Sequence, residues 1–289
     1  MDLSIVIVNY NNSKLLKENL QSIYDSTHKT SLDIIVVDNA SADDSIEMMR
    51  NNFPDVKIIA NKENLGFIKA SNQGLDVSKG RYAMLLNDDT IVKEGAFDTL
   101  VKFMDSNSSA GACGPKLLNT DGTLQRQGSL TGPAFWKATE PKEVDFIMGA
   151  CLIVRREVLE KVGNLDENLF FYNDDLDWCK RIKNAGWKIF FVPQAEVIHY
   201  GGYSTRRSFN KRMFVEGFRG GLYFCKKHYG SAAFQVYRIL LIAFFPLALA
   251  GLTVSSAFRG FREYREKLEA YFRILKIALV GPIEYPWKP

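Results

Sequence analysis

The sequence predicts an α/β fold with a mostly parallel central sheet flanked by helices and a helical extension at its carboxyl end. Three observations lead there. Short apolar runs alternate with segments of helical period over residues 3 to 86, Asn, Asp and Gly clusters punctuate them, and the region beyond residue 238 combines apolar and basic residues at helical spacing. With 289 residues and 46% hydrophobic content, the chain can bury a substantial core.

Leu3 to Asn9 reads as a first strand, Ser13 to Tyr24 as an amphipathic helix and Leu32 to Asp38 as a second strand. Asp43 to Asn51 gives a helix, Val56 to Ala60 a strand, Ile68 to Val77 a helix and Tyr82 to Leu86 the next strand. Helical connections between strands make those strands parallel and cover both faces of the sheet. Residues 106 to 145, rich in Gly, Ser, Asn, Thr and Pro, read as an irregular segment with short strands, of the kind that carries acceptor specificity. Phe146 to Val154 reads as a buried strand in which Gly149 admits close approach of a ligand. Asp174 to Ala185 reads as a helix, followed by strand runs at Lys188 to Val192 and Ala195 to Ile198. The expected division is 1–230 as one domain, with a nucleotide-binding half at 1–105 and an acceptor-binding, catalytic half at 106–230, and 231–289 as a helical tail.

Chemistry gathers where strands end. Asn87, Asp88, Asp89 and Thr90 follow an apolar strand, at the sheet edge where open α/β folds bind ligands; such oxygens suit a hard cation, Mg²⁺ or Mn²⁺, holding a diphosphate. The competing assignment makes Asp88, Asp89 or Thr90 the cap of a helix from Val92 to Met104. Asn9 and Asn11 stand where a dinucleotide-binding fold would carry glycines and can bond a base or ribose, or simply form a turn. Asp38 can accept a hydrogen bond from a pyrimidine N3–H or a ribose hydroxyl, with Asn39 beside it. Asn64, Gly66, Lys69 and Asn72 can bring donors to phosphates or base, although Gly66 also suits a plain turn. A second acidic cluster, Asp174, Asp175 and Asp177, follows the aromatic run Phe170-Phe171-Tyr172. Helical geometry groups Asp175 with Trp178 and Ile182, so Asp175 points inward as a candidate general base while Asp177 points elsewhere. His199 is one of three histidines and precedes the basic stretch from Gly201 to Arg207, which is suited to closing over phosphate.

Charge is unevenly spread. Residues 1–200 carry a net −6 and residues 201–289 a net +10. Ile239 to Phe258 is a 20-residue stretch without a charged side chain, interrupted by Pro246 and Gly251 and flanked on both sides by arginines, Arg238 and Arg259, Arg262 and Arg265. Tyr264 to Val280 is basic and amphipathic. Both fit helices lying in the cytoplasmic membrane interface better than a span; packing in a homodimer is the other option, and nucleic acid is disfavoured because the basic residues alternate with aliphatic ones. Cys113, Cys151, Cys179 and Cys225 form no C-x-x-C pair, and the first apolar run is too short for a signal peptide. A cytoplasmic, membrane-peripheral location is the expectation.

Taken together, Ile5-Val6-Ile7-Val8-Asn9-Tyr10-Asn11, Val36-Val37-Asp38-Asn39-Ala40-Ser41, Asn64-Leu65-Gly66-Phe67 with Asn72, Leu85-Leu86-Asn87-Asp88-Asp89-Thr90, Gly149-Ala150, Phe170 to Asp177 and His199 resemble glycosyltransferase family 2, the inverting transferases of GT-A (Rossmann-like) fold, and especially its rhamnosyltransferase-like bacterial branch. The resemblance covers roughly residues 3 to 230. It implies a nucleotide-sugar donor whose base is held by Asp38, a divalent cation held by Asp89 and His199, and Asp175 as the base. Asn87 stands where the family's D-x-D has its first carboxylate and is placed to bond the donor sugar with Asp88 and Gly149; Asp174 replaces the usual Glu. The implied acceptor is a glycan or lipid-linked saccharide in cell-surface polysaccharide assembly, with L-rhamnose from dTDP-rhamnose as a candidate donor. A nucleotidyltransferase would need a Gly-rich basic loop near the first strand, which is absent. A catalytically silent nucleotide-sugar-binding or membrane scaffold protein is the alternative from another class.

Overall fold

A computed structural model describes residues 1–26, 29–127, 134–170, 172–201, 210–259 and 261–280, with the stretch 253–263 described by backbone alone. Phe171 and most of the basic stretch from Gly201 to Arg207 lie outside the described residues. Two compact units emerge: Met1–Asp166 with Asp175–Gly201, and Glu167–Asp174 with Gly202–Pro289.

The first unit opens with β1 (Leu3–Asn9), α1 (Ser13–Asp25), β2 (Leu32–Asp38), α2 (Ser45–Asn52), β3 (Lys57–Ala60), α3 (Phe67–Val77) and β4 (Tyr82–Asn87). It continues with β5 (Thr90–Val92), α4 (Ala96–Ser106), β6 (Ala110–Leu118), β7 (Lys142–Val144), β8 (Cys151–Arg155), α5 (Arg156–Val162), α6 (Asp174–Asn184) and β9 (Lys188–His199). The described strands form one sheet in the order β3-β2-β1-β4-β8-β6-β9-β5, with β7 also paired to β9. β3, β2, β1 and β4 run parallel, as do β6 and β9; β8, β5 and β7 run antiparallel to their neighbours. The sheet is thus mixed and mostly parallel, and strand order reverses between β1 and β4, the switch point where such folds open a crevice.

The inner strands are apolar almost throughout because helices cover both faces: Leu3, Ile5, Ile7, Val36, Met84 and Ile153 share one core with Leu16, Leu20 and Met49. α3 lies so close to β1 that a Cβ on Gly74 would come within 2.3 Å of Val6 Cγ1. This contact leaves room for a hydrogen atom and nothing more.

Three elements differ from the sequence expectation. The run Phe146 to Val154 is strand only from Cys151, because residues 145–150 turn to bring Ala150 O to Asn87 N (3.0 Å). Lys188 to His199 is one strand rather than two: its register against β6 slips between Val192 and Glu196, absorbing Pro193, which has no N–H to give the ladder. Thr90–Val92 is a short strand, and the next helix starts at Ala96 behind Gly95 (φ 67°), so Asp88, Asp89 and Thr90 do not cap it.

In the second unit, α7 (Lys211–Arg259) is interrupted at Gly230 (φ 80°) and carries Pro246 within it, and α8 is Phe261–Val280. The helices pack through Val215, Ala270 and Ile274 with Phe214, Phe218 and Ile277. Arg238 donates to the carbonyls of Ala278 and Leu279 in the last turn of α8, satisfying groups that a helix end leaves open. Val236, Ile239, Leu240, Phe244 and Leu247 remain between 54% and 65% exposed.

Candidate functional site

The carboxyl ends of β1, β2 and β4 lie side by side. Asn9 is in register with Asp38, and Val8 with Asn87. Asp38 is fully buried, and both its oxygens are engaged: Oδ1 accepts from Asn9 Nδ2 (2.9 Å) and Oδ2 from Ser41 N (3.0 Å). Strand register gives Asp38 an amide partner and makes it the anchor of the loop above it, and each of its oxygens keeps a second lone pair. Asn9 leaves its Oδ1 buried without a hydrogen-bond partner. Asn11, at φ 51°, accepts from Ala42 N (2.7 Å) while its own N–H donates to Ser41 Oγ (2.9 Å), so it too stitches the loops together.

The Asn64 segment is similarly self-contained. Asn39 Oδ1 accepts from Leu65 N (3.0 Å), its Nδ2 donates to Asn64 Oδ1 (2.9 Å), and Gly66 N donates to that same oxygen (2.9 Å). Gly66 adopts φ 84° ahead of α3, the turn that glycine permits. Lys69 is exposed on α3. Asn72 is buried, and its amide clamps both backbone groups of Leu165 at 3.0 Å each.

The acidic loop meets His199 through strand pairing. β5 runs antiparallel to β9 with Thr90 opposite His199, and Tyr200 N donates to Asp89 O (2.9 Å). Asn19, fully buried on α1, donates to Thr90 O and Thr90 Oγ1 at 2.9 Å each and so secures this hinge. Asp89 Oδ1 consequently lies 3.3 Å from His199 Nε2, and Asn87 Nδ2 lies 3.3 Å from the same nitrogen. Asp88 turns the other way and accepts from Asn12 Nδ2 (3.0 Å). Burial, reinforced by the Asp89 charge, pushes the Asp88 carboxyl up to about 7. Among the described residues no group of three or more His, Cys, Asp or Glu comes together to hold a metal ion, and Asp89 and His199 meet as a pair. A carboxylate oxygen and an imidazole lone pair at 3.3 Å repel unless a proton or a cation relieves them, and a hard divalent ion sharing its shell with diphosphate oxygens suits this donor set.

Asp175 joins the same edge by another route. Its Oδ2 accepts from Gly149 N (3.2 Å) and its Oδ1 from Leu176 N (2.8 Å), while the adjacent Ala150 O holds Asn87 N. Gly149 therefore sits in a turn, where a Cβ would stand 3.8 Å from Asp175 Cβ. Burial raises the Asp175 carboxyl above the ordinary range, opposed by the two backbone donors. Behind it, Trp178, Cys179 and Ile182 are fully buried and fix α6, with Trp178 Nε1 bonded to Gly163 O (2.9 Å). Asp177 does not point away as helical spacing suggested. It is fully buried and paired with Arg181 Nε (2.8 Å), whose guanidinium also donates to Val162 O and Asn164 O. Just before α6, Tyr172 and Asn173 both adopt φ 63°, a strained pair of the kind found at functional sites.

Asn12, Asn19 and Gln125 are contributors that the sequence reading missed. Gln125 brackets His199, with Oε1 2.7 Å from Nδ1 and Nε2 donating to the His199 carbonyl (3.0 Å). Nothing local marks Gln125, which lies in the segment read as irregular. Asn12 was visible only as one more amide after β1.

Comparison with known proteins agrees with this architecture. The sequence profile of glycosyl transferase family 2 matches residues 4–163. The chain is 29% identical over 241 residues, 71% of its length and 78% of the relative's, to N-acetylglucosaminyl-diphospho-decaprenol L-rhamnosyltransferase of Mycobacterium tuberculosis. It is 26% identical over 204 residues, 67% of each chain, to the dTDP-rhamnosyl transferase RfbF of Shigella flexneri. Among solved structures, the mannosyltransferase PcManGT from Pyrobaculum calidifontis, in complex with GDP-Man and Mn²⁺, superposes with a TM-score of 0.62 at 15% identity, covering 97% of this chain and 86% of that one. S. aureus TarS 1–349 gives 0.60 at 16% identity, covering 97% and 81%. The sheet is that of a GT-A-like α/β fold, and the chain belongs to glycosyl transferase family 2.

Proposed function

We propose that this glycosyltransferase inverts the anomeric centre of a nucleotide-sugar donor with the help of a divalent cation, and that it passes L-rhamnose from dTDP-rhamnose to a lipid-linked saccharide. The observation that carries the reading is the run of short contacts from Asp89 and His199 through Asn87 and the Gly149-Ala150 turn to Asp175. It supports the reading because Asp89 and His199, the proposed cation ligands, and a carboxylate raised by burial lie along one sheet edge.

Asp89 and His199 would hold Mg²⁺ or Mn²⁺, which would supply electrostatic stabilisation of the departing diphosphate. Asn9, Asn11, Asp38 and Asn39 shape the floor beneath the nucleotide, and Asn64, Gly66 and Lys69 border it. Asn87 and Asp88 would contribute to binding the donor sugar. Asp175 removes the proton of the acceptor hydroxyl as its oxygen bonds to the anomeric carbon. The bond from that carbon to the diphosphate oxygen breaks on the opposite face, and its electron pair leaves with the nucleoside diphosphate. No protein nucleophile is required. The sugar and acceptor are suggested by the names of the two rhamnosyltransferase relatives.

α7 and α8 would seat the enzyme on the cytoplasmic face of the membrane. One helix, Lys211–Leu252, is long and apolar enough to cross by length and composition, yet the basic flanks and Pro246 favour a position in the interface. Nucleoside diphosphate release measured over a panel of nucleotide sugars, with and without Mn²⁺ and a lipid-linked acceptor, tests the whole reading. Release from dTDP-rhamnose that depends on both cation and acceptor is expected. Donor binding without turnover for every donor and acceptor tried would instead support a silent binding module.

A further inference from the structure

The hydrogen bonds around His199 carry a polarity that can be traced to backbone carbonyls. Asn119 Nδ2 donates to Leu124 O (3.4 Å) and Thr123 Oγ1 (2.9 Å), which leaves Asn119 Oδ1 as an acceptor. Gln125 Nε2 donates to that oxygen (3.2 Å) and to His199 O (3.0 Å). A carbonyl oxygen only accepts, so the Gln125 amide has one permissible orientation, with Oε1 toward His199 Nδ1 at 2.7 Å. In the neutral ring Nδ1 then carries the proton, and Nε2 presents its lone pair toward Asp89 Oδ1 and Asn87 Nδ2. Gln125 is itself buried, and its own N–H is tied to Leu117 O (2.9 Å), so the bracket is held by the sheet.

We propose that Gln125 is a positioning residue that fixes His199 as the Nδ1–H tautomer and thereby keeps Nε2 available as a ligand for a divalent cation. The proposal rests on the reading of Asp89 and His199 as cation ligands. It adds a residue that touches neither cation nor substrate. An outer partner that sets the tautomer of a ligating histidine commonly changes metal affinity about 10- to 100-fold when it is lost.

The test uses the full chain. In metal-free wild type, the ¹⁵N shifts of the three histidine rings, assigned with His28→Gln and His228→Gln variants, should show His199 protonated at Nδ1. Gln125→Met, which keeps length but not the acceptor, should abolish that preference and weaken Mn²⁺ binding, followed by electron paramagnetic resonance with dTDP or UDP present, by about 10- to 100-fold. Gln125→Glu retains an acceptor for Nδ1–H and should bind Mn²⁺ more tightly than Gln125→Met, whereas a purely structural role would make the two variants equal. An Nε2–H tautomer in the wild type, or unchanged Mn²⁺ binding in Gln125→Met, overturns the proposal; if Gln125→Met does not fold, the wild-type tautomer and Gln125→Glu decide it. Failure of wild type to bind Mn²⁺ with either nucleotide, with the Nδ1–H tautomer intact, would sink the cation reading itself.

Discussion

Replacing Asp175 by Asn should separate chemistry from binding. A positioned general base contributes about 10²- to 10⁴-fold, equivalent to roughly 3–5 kcal/mol of barrier, and Asn cannot take the acceptor's proton. The structural cost is smaller. Asp175 accepts one backbone N–H on each oxygen, from Gly149 and Leu176, and Asn keeps one acceptor, so one donor loses its partner at about 1–3 kcal/mol. The variant should therefore fold, bind donor within a few-fold of wild type by calorimetry, and lose at least two orders of magnitude in kcat for nucleoside diphosphate release. Its pH profile should change as well. Burial raises the Asp175 carboxyl, so the base is lost by protonation as pH falls, and the wild-type acid limb should lie above the ordinary carboxylate range near about 4. Turnover within tenfold of wild type, or an acid limb that survives the substitution, would refute the assignment of Asp175 as base.

Other perturbations probe the support around the site. Asp177→Ala strands a largely buried guanidinium and should cost about 3–5 kcal/mol in urea unfolding, and adding Arg181→Met should restore part of that; equal losses in the two variants would show the ion pair to be incidental. At the amino-terminal edge of the sheet, Arg81 binds Asp2 (2.9 Å) and Asp105 (2.7 Å); the Asp2 carboxyl is held below its usual range first by the Ser31 hydroxyl and N–H and then by Arg81, and the Asp105 carboxyl first by Arg81. Folded-state values below the unfolded ones mean stability that is present above about pH 4 and lost as pH falls through the folded values. Arg81→Gln should thus cost about 0.5–1 kcal/mol at pH 7, discounted because these groups are partly exposed, and less at pH 3; a difference independent of pH would contradict this. In the tail, Phe244→Asp with Leu247→Asp removes two exposed apolar side chains, each worth about 1.5–3 kcal/mol if the proposed membrane interface buries it fully. Sedimentation with phosphatidylglycerol vesicles should fall at least tenfold, and unchanged co-sedimentation would argue that these residues pack against protein instead.

The parts of this fold that were legible in the sequence are those governed by neighbours along the chain. β1 to β4 and their helices follow from local alternation, and the ends of those strands place Asn9, Asp38 and Asn87 at one edge once the strands are parallel. Periodicity was less informative for α6. It separated Asp175 from Asp177 but sent Asp177 away from the core, because spacing cannot foresee that Arg181, one turn on, would neutralise a buried acid. Asn72 shows a different limit: a carboxamide serves a ligand or a backbone segment with the same atoms, and its contact with Leu165, 93 residues later, has no local signature.

The meeting of Asp89 with His199, the proposed cation ligands, depends still more on distant contacts. Asp89 reaches His199 only because three residues, Thr90–Val92, pair with the far end of β9, and a segment that short has no periodicity to announce it as a strand. Two residues absent from every sequence motif then stabilise this meeting: Asn19 holds Thr90 from α1, and Gln125 holds His199 from a loop. Motif residues name the chemistry, while buried amides set its geometry. A variant that preserved every motif yet lost Asn19 or Gln125 should therefore resemble a damaged active site, and a comparison of its cation binding with that of Asp89→Asn would measure how much of the site's function resides in the amides behind it.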